Sequence, residues 1–375
     1  MMLAALLSLL IWIGLLAFRE RFWLARDTDE AAMPDPAAWP AVTAVIPARD
    51  EAEVIGRAIA SHIAQDYPGT FRIVLVDDGS SDGTAALARE AAQGSDRLTV
   101  VAGSPPPTGW TGKLWAMRNG VEQAGEAPSY LWFTDADIAH SPDTLRSLVA
   151  RSERERLVLN SLMAELRCDS LAEQAMIPAF VLFFQMLYPF RLVNRPQAKL
   201  AAAAGGCMLV QREALAKAGG LAVIADAIID DCAMGETMKR QGPIRLSLTR
   251  RSLSLRPYGG WGEIVAMISR SAYAQLGYSP LMLAGTMLCL LLMFVAPVGL
   301  ALFGSGGARL CGALAWLAMA VCYQPMLRFY RQSPLWGLAM PAIGMVYAAA
   351  TFLSAWQHWN GRGGMWKGRA QARMQ

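Results

Sequence analysis

The stretch Thr134-Asp135-Ala136-Asp137 sets two carboxylates one small residue apart, directly after the apolar run Tyr130–Phe133. Carboxylates this close repel each other unless positive charge sits between them. A hard divalent cation such as Mg2+ or Mn2+ takes one or two protein carboxylates and completes its shell with phosphate oxygens and water. Taken alone, the pair fits equally well as helix caps, with Ser141-Pro142-Asp143 starting the next helix. A second acidic pair, Asp77-Asp78, ends the run Arg72–Val76 and leads into Gly79-Ser80-Ser81-Asp82-Gly83-Thr84, a turn followed by helix-capping residues.

These carboxylates need elements to position them. Val42–Ile46 is a β-branched run that breaks at Pro47, and Val54–Ile59 then has helical spacing. Further strands are expected at Arg72–Val76, Leu98–Ala102 and Tyr130–Thr134, with helices over Ala85–Ala92 and Gly112–Ala124. Strands and helices alternating at these lengths predict a sheet whose parallel strands are covered on both faces. Such a sheet collects its strand ends on one edge, where ligands bind. Two acidic strand ends in one crevice are harder to explain as caps than either is alone.

The chain has 375 residues, 54% of them apolar and 17% charged. That balance is too apolar for an ordinary soluble domain and points to membrane segments. The net charge of +4 comes without zinc-ligand spacing, an arginine-rich tract or basic–aromatic interleaving, so no nucleic-acid partner is expected. The six cysteines are scattered with no CxxC pair, and they read as small buried hydrophobes rather than a disulfide framework.

Four segments, taken in order, resemble the family-2 glycosyltransferases: Val45-Ile46-Pro47-Ala48-Arg49-Asp50-Glu51, Val76 to Thr84, Gly112-Lys113 and Thr134 to Asp137. The resemblance spans roughly Val42 to Arg256. It implies an α/β GT-A fold, a Rossmann-like mixed sheet with helices on both faces, to which this chain adds N-terminal and C-terminal transmembrane helices. It also implies a nucleotide-sugar donor, expected to be a UDP-sugar, bound by Pro47, Arg49, Glu51, Asp77, Asp78, Lys113 and Asp135. The Asp135-Ala136-Asp137 motif would hold Mg2+ or Mn2+ on the diphosphate, with Asp137 the direct ligand and Asp135 beside it. Ala204 to Leu215 resembles the family's glycine-containing segment on the acceptor side, which assigns Gly205 and Gly206 there. Ile228 to Gly235 resembles its Glu-Asp pair at a helix start. Asp230 stands where the family has Glu, and Asp231 takes the place of the catalytic base, at a helix N-terminus that favours an ionised carboxylate. The implied chemistry is an inverting transfer in which Asp231 deprotonates the acceptor hydroxyl.

The rest of the chain bears on the acceptor. Met2–Phe18 is apolar and is followed, not preceded, by Arg19, Arg21 and Arg26, so it reads as an uncleaved anchor with the next domain in the cytoplasm. Asp27 to Pro40 reads as a linker. Gln174–Val193 is apolar but interrupted by Pro178 and Pro189, too short and broken for a confident span. Trp261, Ile264, Val265, Ile268, Ala272 and Leu276 share one helical face behind Arg250, Arg251 and Arg256. This reads as an amphipathic helix on the membrane, with Trp261 on the acceptor side; packing against the sheet is the alternative. Spans are expected at Leu281–Phe303, Leu310–Leu327 and Leu335–Trp356, with a basic tail from Arg362 to Arg373. The resulting divisions are residues 1–26, 27–40, 41–258, 259–279 and 280–375.

This arrangement resembles the hopene-associated glycosyltransferases of bacteria. The resemblance implies a multi-pass protein of the bacterial inner membrane, its catalytic domain cytoplasmic, moving sugar to a hopanoid or related isoprenoid lipid hydroxyl. Three other readings compete with it. A processive polysaccharide synthase would carry Gln-x-x-Arg-Trp after the base, which Arg256 to Trp261 lacks. A nucleotidyltransferase would need a glycine-rich loop where Pro47 to Glu51 stands. A non-catalytic membrane scaffold would not need four acidic positions in family register.

Overall fold

The computed structural model describes residues 1–363 and the two-residue strands 365–366 and 369–370. The basic tail read over Arg362 to Arg373 therefore lies largely outside the described residues. Along the chain, helix α1 (Met2–Ala17) is followed by β1 (Val42–Ala48), α2 (Ala52–Ile63), β2 (Phe71–Asp77), α3 (Thr84–Ala91), β3 (Leu98–Ala102), α4 (Gly112–Ala124), β4 (Tyr130–Thr134), β5 (Ile138–His140), α5 (Thr144–Glu155) and β6 (Leu159–Glu165). Then come α6 (Leu171–Leu187), α7 (Phe190–Val193), β7 (Cys207–Gln211), α8 (Arg212–Lys217), α9 (Asp230–Lys239) and β8 (Ile244–Ser254). The last helices are α10 (Trp261–Gln275), α11 (Pro280–Leu290), α12 (Ala296–Phe303), α13 (Gly306–Phe329) and α14 (Trp336–Trp359).

The chain divides into two units. One comprises residues 27–167 and 192–257; the other comprises 1–26, 168–191 and 258 onward. The first holds an eight-stranded mixed sheet in the order β3-β2-β1-β4-β7-β6-β8-β5. β1 runs parallel to β2 and β4, and β2 parallel to β3. β7 enters antiparallel between β4 and β6. The mixture follows from the chain path: Thr134 pairs with Cys207, so the Gly205-Gly206 lead into β7 arrives at the edge from which Asp135 departs.

Alternation along β2 shows how the sheet is covered. Ile73 and Leu75 join a buried cluster with Ile55 and Ile59 of α2, Ala88 of α3 and Leu145 and Leu148 of α5. Val74 and Val76 point the other way, to Ala116 of α4. Successive strand side chains face opposite sides, so both faces must be apolar and both must carry helices. Trp132 on β4 is fully buried; a side chain of this class contributes roughly 1.5–3 kcal/mol by leaving water. Pro47 fits its strand because pairing with β4 ends at Val45, so its missing N–H costs no bond on that side.

The stretch read as a linker is tied to this unit. Asp29 is buried, accepts from Thr249 Oγ1 at 2.8 Å and pairs with Arg251 at 3.1 Å. Partners more than two hundred residues away leave no local pattern to read.

The second unit is helical. Among the described residues, four helices are long and apolar enough by length and composition to cross a membrane: Leu171–Val193, Pro280–Phe303, Gly306–Phe329 and Trp336–Trp359. In the first of these the helix does stop at Leu187, just before Pro189, and a short helix resumes at Phe190, whereas Pro178 sits inside α6 without ending it. A capping box starts that helix: Ser170 Oγ accepts from Glu173 N, and the Glu173 carboxylate accepts from Ser170 N. Met2–Ala17 is apolar but shorter, and its Trp12 is buried with Nε1–H donated to Met293 O at 2.9 Å. α10 does form over the expected residues, but Ile264, Ile268 and Tyr273 are buried, and the helix packs on α14, with Tyr273 N–H donated to Ser354 Oγ. Half-exposed Trp261 remains on its outer side.

Candidate functional site

Three strand ends and one helix start build the site. At the end of β1, Asp50 adopts a left-handed φ of 49°, which Asp tolerates better than most residues. Its N–H donates to Ser80 Oγ at 3.0 Å and its carboxylate accepts from Ser81 N at 2.8 Å. Glu51 N–H donates to Thr84 Oγ1 at 2.8 Å, and Ala52 N–H to Asp82 Oδ2 at 2.9 Å. Asp82 thus caps α2 from the neighbouring loop while also binding Thr84 N. Burial works slightly against its charge, but hydrogen bonds from Thr84 and Ala52 outweigh that and hold its carboxyl below the usual range. Asp77 accepts from Ser80 N at 3.0 Å, and Asp78 N–H donates to Ala48 O. Arg49 lies over this loop, bonded to Asp78 O at 2.6 Å and 3.5 Å from the Asp78 carboxylate. The sequence does not single out Ser80, Asp82 or Thr84 as site residues, though they lie in the Asp-Asp-Gly-Ser-Ser-Asp-Gly-Thr run that signals the turn.

The second strand end is different. Lys113, in the first turn of α4, reaches Asp135 Oδ1 at 2.9 Å and Asp230 Oδ2 at 3.0 Å. Burial disfavours its charge, but the two carboxylates outweigh that and push its pKa upward. The ammonium therefore ties the end of β4 to the start of α9. Asp231 Oδ2 accepts from Gly205 N at 3.0 Å, and its Oδ1 accepts from Cys232 N at 2.7 Å. A Cβ at Gly205 would stand 3.3 Å from Lys113 Nζ, which would have to give by a few tenths of an ångström, and 3.5 Å from Asp231 Oδ2, an ordinary contact. Burial, then the charge of Asp230, pushes the Asp231 carboxyl up to about 6, while Lys113 and the two N–H donors pull the other way.

Asp137 is raised to about 6 by burial first, then by the charges of Asp135 and Glu51, with Arg256 opposing. Buried carboxylate charge facing further carboxylates is what a divalent cation would offset. The donors are hard oxygens, as Mg2+ and Mn2+ require. Among the described residues no group of three or more His, Cys, Asp and Glu side chains forms a ligand set. Two protein carboxylates with a diphosphate and water completing the shell remain compatible with that. The residues therefore fit the cation expected from the sequence.

The first unit thus contains Pro47, Arg49, Glu51, Asp77, Asp78, Lys113, Asp135, Asp137, Gly205, Gly206, Asp230 and Asp231. Lys113, Asp135, Asp230, Asp231 and Gly205 converge directly. Trp261 belongs to the helical unit. Arg256, whose charge acts on Asp137, shows in the sequence only as part of a membrane-flanking basic cluster.

The sequence profile of Glycosyl transferase family 2 matches residues 43–219. The Succinoglycan biosynthesis protein ExoU of Rhizobium meliloti (strain 1021) is 43% identical over 60 residues, 16% of this chain and 17% of that protein. A 4,4'-diaponeurosporenoate glycosyltransferase of Staphylococcus aureus (strain MRSA252) is 36% identical over 98 residues, 26% of this chain and 24% of the relative. The chain covers well under two thirds of the length of these relatives. Among solved structures, the mannosyltransferase PcManGT from Pyrobaculum calidifontis, in complex with GDP-Man and Mn2+, superposes with a TM-score of 0.59 at 21% identity, covering 94% of this chain and 98% of that one. At that identity the match speaks for the fold, which is the mixed α/β arrangement expected. The strand order and the acidic strand ends lie within or beside the residues that the family profile matches, 43–219, a little under half of the chain.

Proposed function

We propose that this chain is a membrane-bound inverting glycosyltransferase that moves a sugar from a nucleotide-sugar to a lipid hydroxyl. The observation that carries the reading is the Lys113 bridge between Asp135 and Asp230, which brings the donor-side motif and the acceptor-side helix start to one point. The loop spanning Arg49, Asp77 and Asp78 binds the nucleoside, with Pro47 and Glu51 shaping its floor. Asp137, with Asp135 beside it, holds the divalent cation, which when bound neutralises charge on the departing diphosphate. Lys113 orients Asp135 and adds a fixed positive charge on the same side. Asp231 accepts the proton of the attacking hydroxyl. The anomeric carbon loses its bond to the diphosphate oxygen and gains one to the acceptor oxygen on the opposite face, and the configuration inverts. Gly205 and Gly206 leave room for the acceptor's approach, and Asp230 lies at the edge of that route.

A UDP-sugar is the expected donor, while PcManGT, solved with GDP-Man, keeps a guanine nucleotide in view. An apolar acceptor is supported by the four long apolar helices and by a relative named for a non-sugar acid, 4,4'-diaponeurosporenoate. A hopanoid or related isoprenoid lipid is the acceptor class that the sequence resemblance favours, and the bacterial inner membrane with a cytoplasmic active site is the corresponding location. Connectivity constrains one helix. β6 precedes α6 and β8 follows it, and the two strands pair. A single full crossing by α6 would put two strands of one sheet on opposite sides of a bilayer, so α6 does not cross it once and end there.

The test uses full-length protein in lipid nanodiscs, with UDP-glucose, UDP-N-acetylglucosamine and GDP-mannose offered separately and a hopanoid polyol or a linear isoprenoid alcohol in the bilayer. The proposal expects one donor to be consumed with sugar appearing on the lipid. Consumption of none of the three, with no glycolipid formed, contradicts it.

A further inference from the structure

The loop Ala204-Gly205-Gly206 donates the N–H that meets Asp231, and it is held at both ends by side-chain hydroxyls, those of Ser161 and Thr134. At one end, Ser161 on β6 binds both polar groups of Ala204: its Oγ accepts from Ala204 N at 2.8 Å and donates to Ala204 O at 3.1 Å. At the other end, Thr134 Oγ1 donates to Gly206 O at 3.0 Å. Thr134 has one proton, so this bond obliges it to accept from His140 Nε2, which lies at 2.9 Å. His140 Nδ1 must then accept from Ser252 Oγ, at 2.8 Å. A neutral imidazole with its proton on Nε2 satisfies the row with each hydroxyl donating once. Burial, reinforced by the neighbouring His62 ring, keeps His140 in its neutral form. Ser161, Thr134, His140 and Ser252 are all buried, so each of these bonds is costly to leave unmade.

Between the two clamps lies Gly205, whose N–H is 3.0 Å from Asp231 Oδ2. Glycine peptides have the widest conformational choice of any residue. Free, this one would populate several N–H directions; clamped on both sides, it keeps one. We propose that Thr134 and Ser161 are positioning residues that aim the Gly205 N–H at Asp231, with His140 and Ser252 fixing the polarity of the Thr134 clamp. The carboxylate is thereby held with one oxygen on the loop and on Cys232 through the other, in a single orientation toward the acceptor. The inference rests on Asp231 acting as the base. It adds that the base's orientation is set two bonds away, by groups that touch neither substrate nor metal.

The variant that tests this is Thr134→Val, which preserves shape and removes the hydroxyl. Thr134→Ser restores it. Full-length protein in nanodiscs is assayed with the nucleotide-sugar that supports turnover from the three named above, with donor affinity measured by calorimetry and folding by thermal melting. Thr134→Val is expected to lower kcat about tenfold, the size of one lost orienting hydrogen bond. Donor affinity should stay near the parent's, the melting temperature should fall because Gly206 O and His140 Nε2–H lose their partner, and Thr134→Ser should recover most of both kcat and melting temperature. Ser161→Ala loosens the other end of the loop and is read by the same split, which keeps the test intact if Thr134→Val does not fold. Asp231→Asn is run beside them. If Asp231→Asn is inactive while Thr134→Val and Ser161→Ala keep kcat within twofold of the parent, the positioning claim is wrong. If Asp231→Asn retains turnover, the base assignment itself fails, whatever the clamps do.

Discussion

The two acidic strand ends of the sheet are built to opposite plans. After β2, almost every carboxylate is already satisfied. Asp50 and Asp77 accept backbone N–H groups of the turn, and Asp82 caps α2. After β4, carboxylates crowd together with too little positive charge. Asp135 and Asp230 share Lys113, and Asp137 and Asp231 are both raised to about 6. Hydrogen-bonded carboxylates of the first kind make a rigid floor suited to a neutral base and ribose. Under-compensated carboxylates of the second kind make a site that gains when a cation or a proton arrives. As pairs of carboxylates at strand ends the two look alike in the sequence, the family resemblance assigns them different roles, and their surroundings differ as just described.

The largest effect should come from removing charge at the β4 end. Asp137→Ala should lower transfer about 10³-fold, in the upper range for losing one electrostatic contact to the reacting group. EDTA should do the same to the parent protein, with activity restored by Mg2+ or Mn2+. Full activity in EDTA would mean that the crowding around Asp137 serves some other purpose.

A smaller effect concerns pH. Asp231 must be ionised to accept a proton, and its carboxyl is raised, so kcat/KM should fall as pH drops through about 6 rather than about 4. Lys113 lowers that value, so Lys113→Gln should move the acid limb to higher pH and lower the plateau. A limb that stays in place would separate Lys113 from the base.

The smallest effect belongs to the β2 end. Asp82→Ala removes the cap on α2 and should cost about 1 kcal/mol of stability, read as a lower melting temperature. The acid limb of kcat/KM should not move. A shift in that limb would show that the two ends are not the separate systems described.

How much of this is legible in the sequence depends on the range of the signal. β1, β2 and β4 end close to where their β-branched and aromatic runs end, because a buried strand is a local composition. The acidic pairs and the glycine loop are visible as motifs. Asp29 is not: it lies in a proline-containing stretch with no periodicity, and its partners Thr249 and Arg251 are visible only once the sheet exists. His140 and Ser161 give no signal either, since a His and a Ser in apolar strands are ordinary residues until the chain brings them together, and Thr134 is visible only as the first residue of the acidic motif, not as a clamp. Of the two prolines read as breaks, Pro178 does not end α6, whereas the helix does stop just before Pro189. For α10 the amphipathic pattern correctly marks a helix, but Ile264 and Ile268 are buried within the protein, in a helix that packs on α14 and touches α6.

The central claim is that the under-compensated end carries the chemistry through Asp231 and not through its neighbour. Its most direct test compares Asp231→Asn with Asp230→Asn, measuring donor affinity by calorimetry and sugar transfer to the lipid alcohol in nanodiscs. Asp231→Asn should bind donor nearly as well as the parent while turnover falls by roughly 10²–10⁴-fold, the loss typical of a general base. Asp230→Asn should lose far less. Near-normal turnover in Asp231→Asn, or an inactive Asp230→Asn, would contradict the account.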